Sequence, residues 1–211
     1  MRVNKTVSRT FRFFSLSVVS LLVLMPLWYF SAAPVADVVM RMAGAVMDAL
    51  FGWAKGVTVE GTFGVLRTNL SVLTPLADGR TTLGELAPKV DYRFYGYGLV
   101  LLWALFIGSW PSRLWLKLPL ATLLILLTQV FAICIHWLQV VLNQAGPDVF
   151  RQTGEPRLLQ EFVLFMFHFN LYMLTALAPV LLWLLFDRDF VRRMWVEMTV
   201  ATAMGGRDAR S

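Results

Sequence analysis

Two long apolar stretches fill the sequence from Leu114 to Phe186, separated by a short polar loop that opens with Gln144-Ala145-Gly146-Pro147. Each suffices for a helix of ~20 residues, the length that crosses a bilayer. Each also carries one polar residue every seven positions: Gln129, His136 and Asn143 on the first, Glu161, His168 and Thr175 on the second. Seven residues is nearly two helical turns, so each trio lies on one face. Paired antiparallel, the helices would set Asn143 against Glu161 near one membrane surface. The two histidines would lie at a middle level, and Gln129 would meet Thr175 deeper. The expectation is a membrane protein with a polar seam.

The rest of the composition agrees with a membrane chain. Hydrophobic residues make up 58% and charged residues only 15%, with a mean hydropathy of +0.65, which excludes an ordinary soluble domain. The net charge is +6. The basic residues stand beside apolar runs and no nucleic-acid recognition motif is present, so the charge orients the chain in a membrane and no nucleic-acid partner is expected. The single cysteine, Cys134, excludes an internal disulfide and a cysteine-based metal cage.

Residues 1–12 are basic. Phe13 to Ala33 is a continuous apolar run read as the first span, with Trp28 and Tyr29 as an interfacial anchor. Ser31-Ala32-Ala33 resembles a signal-peptide cleavage site, but Pro34 disfavours cleavage there, so a retained span is expected. Residues 34–93 read as a small α/β domain. Val35 to Trp53 places Val35, Val38, Val39, Met42, Val46, Leu50 and Trp53 at helical spacing, with Asp37, Arg41 and Asp48 opposite. This helix either lies on the membrane face or packs on the domain that follows. Val57 to Leu73 alternates with period two, which argues strands, with Gly61 and Gly64 near the turn. Pro75 and Asp78-Gly79 break the pattern, and Lys89 to Phe94 returns as a third strand.

A second span is expected over 94–110, opened by Tyr95-Gly96-Tyr97-Gly98, where the glycines permit close helix contact. A basic turn at 111–117 leads to a third span over 118–141, with Pro119 in its first turn. An outer loop (142–161) precedes a fourth span over 162–186, with a kink at Pro179. A basic amphipathic tail (187–211) ends in Gly205-Gly206-Arg207, expected to be disordered. The short segments 1–12, 111–117 and 187–211 hold most of the 19 lysines and arginines and few of the 13 acids. They therefore stay in the cytoplasm with both termini, and residues 34–93 and 142–161 lie outside.

Ionisable groups inside a span are costly and invite a functional reading. For His136 and His168 the alternatives are hydrogen bonding across the helix pair, contact with a partner's transmembrane segment, or catalysis. Cys134 and His136 are two residues apart on one helix and do not face each other. His168 reaches Cys134 only with particular packing. No mid-membrane arginine, metal-ligand set or phosphate-binding loop accompanies them, so no metal and no cofactor is expected.

Several local patterns then resemble one family, the exosortase H-associated membrane proteins. They are Pro26-Leu27-Trp28-Tyr29-Phe30, Tyr95-Gly96-Tyr97-Gly98-Leu99, and Asn143-Gln144-Ala145-Gly146-Pro147 with Gln152-Thr153-Gly154. The last is Ala178-Pro179-Val180-Leu181-Leu182-Trp183 leading to Asp187-Arg188-Asp189-Phe190. The family often has Asn-Pro before its Tyr-Gly-Tyr-Gly; here Asp91-Tyr92-Arg93-Phe94 stands there. The resemblance implies a multi-pass bacterial inner-membrane accessory to exosortase H, an enzyme that recognises C-terminal sorting signals and whose chemistry uses a Cys–Arg–His set. The cysteine context of that enzyme is missing, so the chain looks like the helper. The combined expectation is a membrane α-helical protein with four transmembrane helices and a small α/β periplasmic domain between the first and second. It would bind the exosortase, its signal-bearing substrates, or both. Gly96, Gly98, Gln129, His136, Asn143, Gly146, Pro147, Glu161, His168 and Thr175 are the candidate contact or packing positions. Two rivals are an intramembrane cysteine protease or transpeptidase using Cys134 and His168, and a small transporter subunit.

Overall fold

The computed structural model describes residues 3–75, 81–196 and 199. Arg2, the expected break at Asp78-Gly79, and Glu197, Arg207, Asp208 and Arg210 with the Gly205-Gly206 segment lie outside them. The chain is mostly helical with two small antiparallel sheets. Its order is α1 (Val3–Leu50), β1 (Ala54–Glu60), β2 (Phe63–Thr68), β3 (Ser71–Pro75), β4 (Thr81–Glu85), β5 (Lys89–Asp91), α2 (Arg93–Ser109), α3 (Leu114–Gln139), α4 (Pro147–Thr153), α5 (Arg157–Phe169) and α6 (Thr175–Phe186). A π-helical turn, Val140–Gln144, extends α3, and another, Asn170–Leu174, joins α5 to α6. Among the described residues, three helical stretches are long and apolar enough to cross a membrane: Thr10–Leu50, Leu114–Gln144 and Arg157–Phe186. The fourth apolar helix, α2, has 17 residues, roughly 26 Å at 1.5 Å per residue.

The first helix differs from expectation. No break separates a span ending at Ala33 from a second helix at Val35; α1 continues through Pro26 and Pro34. Its 48 residues are well over the ~20 that cross a bilayer. Its second half also turns a different face inward. Ala36, Val39, Met40, Ala43 and Met47 are buried, while Val38, Met42, Val46 and Leu50 of the expected apolar stripe are exposed. At 100° per residue the two sets are neighbouring faces. α3 also starts at Leu114, earlier than expected, so Pro119 lies inside the helix and not in its first turn.

Two compact units divide the chain. One consists of residues 28–97 and 126–176. Its larger sheet has the order β1-β2-β5. Gly61, at φ 62°, turns β1 into β2, and β5 pairs with β2 over Lys89 to Asp91. The third strand is thus where the sequence placed it, but it ends at Asp91, and Arg93 already belongs to α2. β3 and β4 form a separate hairpin. The core joins Val39, Met40, Ala43 and Met47 to Leu66, Val90, Tyr92, Ile133, Trp137, Val141 and Val163. Two glycines set the distance between α1 and the sheet. A Cβ on Gly44 would run into Val57, and one on Gly64 would run into Met40.

The other unit consists of residues 1–27, 98–125 and 177–211. The Phe13 ring stacks on Trp183 at 5.3 Å and meets Phe190 at 4.9 Å. Trp183 Nε1 donates to Ser109 Oγ at 3.0 Å. Trp103 Nε1 donates to Thr122 Oγ1 at 2.9 Å. The expected tight turn after α2 is strained: Trp110 and Arg113 both take positive φ, 44° and 61°, a region unfavourable to side chains with a Cβ.

Candidate functional site

Gln129 and His136 of α3 both find partners, and those partners include Tyr95 and Gly96 at the opening of α2. Gln129 is 3% exposed. It accepts from the Tyr92 hydroxyl at 2.8 Å and donates to the Gly96 carbonyl at 3.4 Å. Burial pushes the Tyr92 phenol's pKa upward, so the group stays protonated and donates. Seven residues on, His136 Nδ1 lies 2.9 Å from the Tyr95 hydroxyl. Gly96 has no side chain because the rings of Tyr92 and Trp28 fill that space. Trp28 and Tyr92 also meet as a tilted ring pair at 6.4 Å. Arg93 then ties the neighbouring pieces together. It donates to Tyr29 at 2.7 Å and to Thr62 at 3.0 Å, and lies 3.6 Å from Asp91. Asp91, Tyr92 and Arg93 are thus central to the network. Gly98 is buried in α2.

The seam expected between the third and fourth apolar helices does not form as two facing trios. Asn143 donates to Gln139 Oε1 at 2.8 Å and reaches the Gln160 carbonyl at 3.4 Å, not the Glu161 side chain. Gln160 Nε2 donates to the Leu142 carbonyl at 2.8 Å. That carbonyl lies in the first π-helical turn, where the usual i→i−4 ladder is interrupted. Across from His136 stands Phe167, with ring centroids 5.6 Å apart, and not His168. One residue is a 100° rotation, which carries the whole second trio off the interface. Glu161 is exposed and pairs at 3.6 Å with Arg157 on its own helix. Thr175 donates to the Asn170 carbonyl at 2.7 Å, not to Gln129. The inward face of α5 is Val163, Met166 and Phe167, followed by Asn170. Both side-chain polar atoms of Asn170 are buried without a partner, a costly arrangement in an apolar setting. Sequence reading missed Asn170, Gln139 and Gln160 because a strict seven-residue spacing skips them. Their polarity within apolar helices was the available signal.

His168 instead faces outward. It is exposed, and its ring meets Phe167 at 5.5 Å and Tyr172 at 6.2 Å; Phe165 and Phe169, also exposed on this helix, stack on each other. Its Nδ1 lies 2.8 Å from the Leu164 carbonyl. A carbonyl only accepts, so Nδ1 carries the proton and Nε2 is the acceptor of the neutral ring. Cys134 is buried, and its thiol contacts the Ala43 carbonyl at 3.6 Å. Cys134 and His168 therefore do not pair. Among the described residues, no three histidine, cysteine or acidic side chains come together to hold a metal ion.

The loop motif after α3 has a structural basis. Gly146 takes φ 96° at the start of α4, Pro147 occupies its first turn, and Gly154 closes it at φ 68°. The left-handed values at both ends favour glycine. α4 so held presents Gln152 to β3. Ser71 N–H donates to Gln152 Oε1 at 2.9 Å, and Gln152 Nε2 donates to Ser71 O at 2.9 Å. The side-chain amide pairs with the strand as a neighbouring strand would. Gln152→Ala should cost about 1–2 kcal/mol, read as a lower melting temperature and faster amide exchange at Ser71.

A family model described as exosortase H-associated membrane protein matches residues 8–190. No curated protein and no solved structure matches the chain.

Proposed function

The chain belongs to the exosortase H-associated membrane protein family, and we propose that it is a non-catalytic integral membrane partner of an exosortase H-type transpeptidase in protein sorting. It binds that enzyme, its C-terminal-signal-bearing substrates, or both. In this reading residues 13–33, 94–110, 118–141 and 162–186 cross the bacterial inner membrane, both termini are cytoplasmic, and residues 34–93 and 142–161 face the periplasm. The helical continuity of α1 supports a retained first span. The distribution of basic residues supports the orientation.

The observation that carries the partner reading is His168. An ionisable ring on the outward face of an apolar helix is expensive in lipid, and a partner helix that donates to Nε2 offsets that cost. Phe165, Phe169 and Tyr172 around it supply the aromatic area typical of contact surfaces. His136, enclosed by Tyr95 and Phe167, holds α3 in place.

The test is an affinity pull-down of the tagged protein from mild-detergent membranes, with mass spectrometry of what accompanies it. The unaltered chain should recover an exosortase. His168→Ala should lower that recovery about tenfold, the effect of one contact residue worth ~1.4 kcal/mol, at an unchanged melting temperature. His136→Ala should lower the melting temperature. Recovery of the chain alone would overturn the partnership, and full recovery with His168→Ala would move the contact off this helix face. Loss of substrate processing on Cys134→Ser would replace the accessory role with a cysteine enzyme.

A further inference from the structure

At the end of α6 the chain breaks at Asp187 and continues as a helical stretch over residues 188–196. A cleft of about 580 Å³ opens there, lined by Ser112, Asp187, Asp189, Arg192, Arg193 and Val196. It carries charges of both signs that do not neutralise each other. Asp187 is 2% exposed, and its Oδ2 has no hydrogen-bond partner. Among the described residues, no salt bridge joins Asp187 or Asp189 to an arginine. Arg193 donates from Nε to the Asp189 carbonyl at 3.0 Å, which leaves the rest of its guanidinium to the cleft.

A buried carboxylate oxygen without a donor is unfavourable, and the exposed Arg192 and Arg193, in no ion pair among the described residues, are free to take an anion. One ligand type answers both: a phosphodiester that carries an ammonium group. The surroundings favour a lipid as its source. Trp110, Trp115 and Trp195 are exposed in the same unit, with Leu116 and Val196 as exposed apolar neighbours in sequence. Exposed tryptophans beside the ends of apolar helices mark the headgroup level of a bilayer.

We propose that this cleft binds the headgroup of an aminophospholipid. The ammonium sits on the Asp187 carboxylate, and the phosphodiester sits on Arg192, Arg193 and the Ser112 hydroxyl. Guanidinium groups suit a phosphodiester because they donate in pairs. A free phosphate would satisfy the arginines but not Asp187. Phosphatidylcholine fits less well because its quaternary nitrogen has no N–H to donate. Phosphatidylglycerol brings no cation.

The full-length protein in nanodiscs containing equal phosphatidylethanolamine, phosphatidylglycerol and phosphatidylcholine provides the test, with retained lipid counted by native mass spectrometry. Phosphatidylethanolamine should be retained about tenfold over phosphatidylcholine, the effect of one charge-assisted hydrogen bond. Retention should fall stepwise through the N-methyl and N,N-dimethyl lipids. Asp187→Asn should remove that preference, and Arg192→Ala with Arg193→Ala should reduce retention of all three lipids. Equal retention of the three lipids, preference for phosphatidylglycerol, or an unchanged preference in Asp187→Asn would overturn the proposal. Displacement of the lipid by inorganic phosphate, or by glycerophosphoethanolamine at a concentration equal to that of the lipid, would overturn it in favour of a soluble ligand. If Asp187→Asn does not fold, the methylation series on the unaltered chain decides the matter.

Discussion

Gly96→Leu should lower the stability of the protein by about 3 kcal/mol, the upper part of the range for overfilling a packed interior. A Cβ at this position would stand 2.5 Å from Tyr92 Cε1 and 2.7 Å from Trp28 Cζ2. Neither ring is a loose end that swings aside. Tyr92 is 0% exposed and is held by its bond to Gln129. Displacing it would break that bond and loosen the contact between Gln129 and the Gly96 carbonyl. Near-ultraviolet circular dichroism during thermal unfolding in detergent reads the outcome, because Trp28 is one of the rings displaced. Trp28→Ala in the Gly96→Leu background should restore part of the loss, since contacting positions do not add independently. An unchanged melting curve for Gly96→Leu would show that α2 does not need the close approach described here.

Trp183→Ala should cost about 3–5 kcal/mol, the usual loss for removing a buried tryptophan. The indole is 5% exposed. It stacks on Phe13, meets Phe190 at 6.0 Å and donates to Ser109. Its loss would leave a cavity where three chain segments meet and would free the start of the helical stretch after Asp187. Trp183→Phe keeps most of the packing and loses the hydrogen bond, so it should cost only about 0.6 kcal/mol on the scale measured inside membranes. Denaturation in mixed micelles separates the two variants. If both are equally mild, lipid fills the space and the aromatic cluster is not what holds this region together.

These two positions show what the short family landmarks do physically. Trp28 and Gly96 pack with Tyr92, which bonds Gln129, and Tyr95 beside them bonds His136, so residues from distant parts of the chain meet. Gly146, Pro147, Gln152 and Gly154 build a short helix that pairs with β3. Trp183, Asp187 and Phe190 fasten and shape the end of α6.

The sequence by itself determined the membrane character of the chain, its long apolar helices and the family to which it belongs. It also determined the strands around Gly61 and the return at Lys89. Each of these depends on local composition or periodicity, which sequence carries directly. Tertiary structure alone decided which faces meet. Period seven put Gln129, His136 and Asn143 on one face of α3, and it put Glu161 and His168 on one face of α5. Nothing in that spacing stated that the first face would turn inward to Tyr92 and Tyr95 while the second turned out. The same holds for α1, where Val38, Met42, Val46 and Leu50 share a face that the sheet does not cover. A helix in an apolar setting has no water to tell its inner face from its outer one by polarity alone. The choice falls to shape and to the hydrogen-bond partners available across the interface: the rings beside Gly96, the Phe167 contact with His136, and the carbonyl of Leu142 that takes up Gln160.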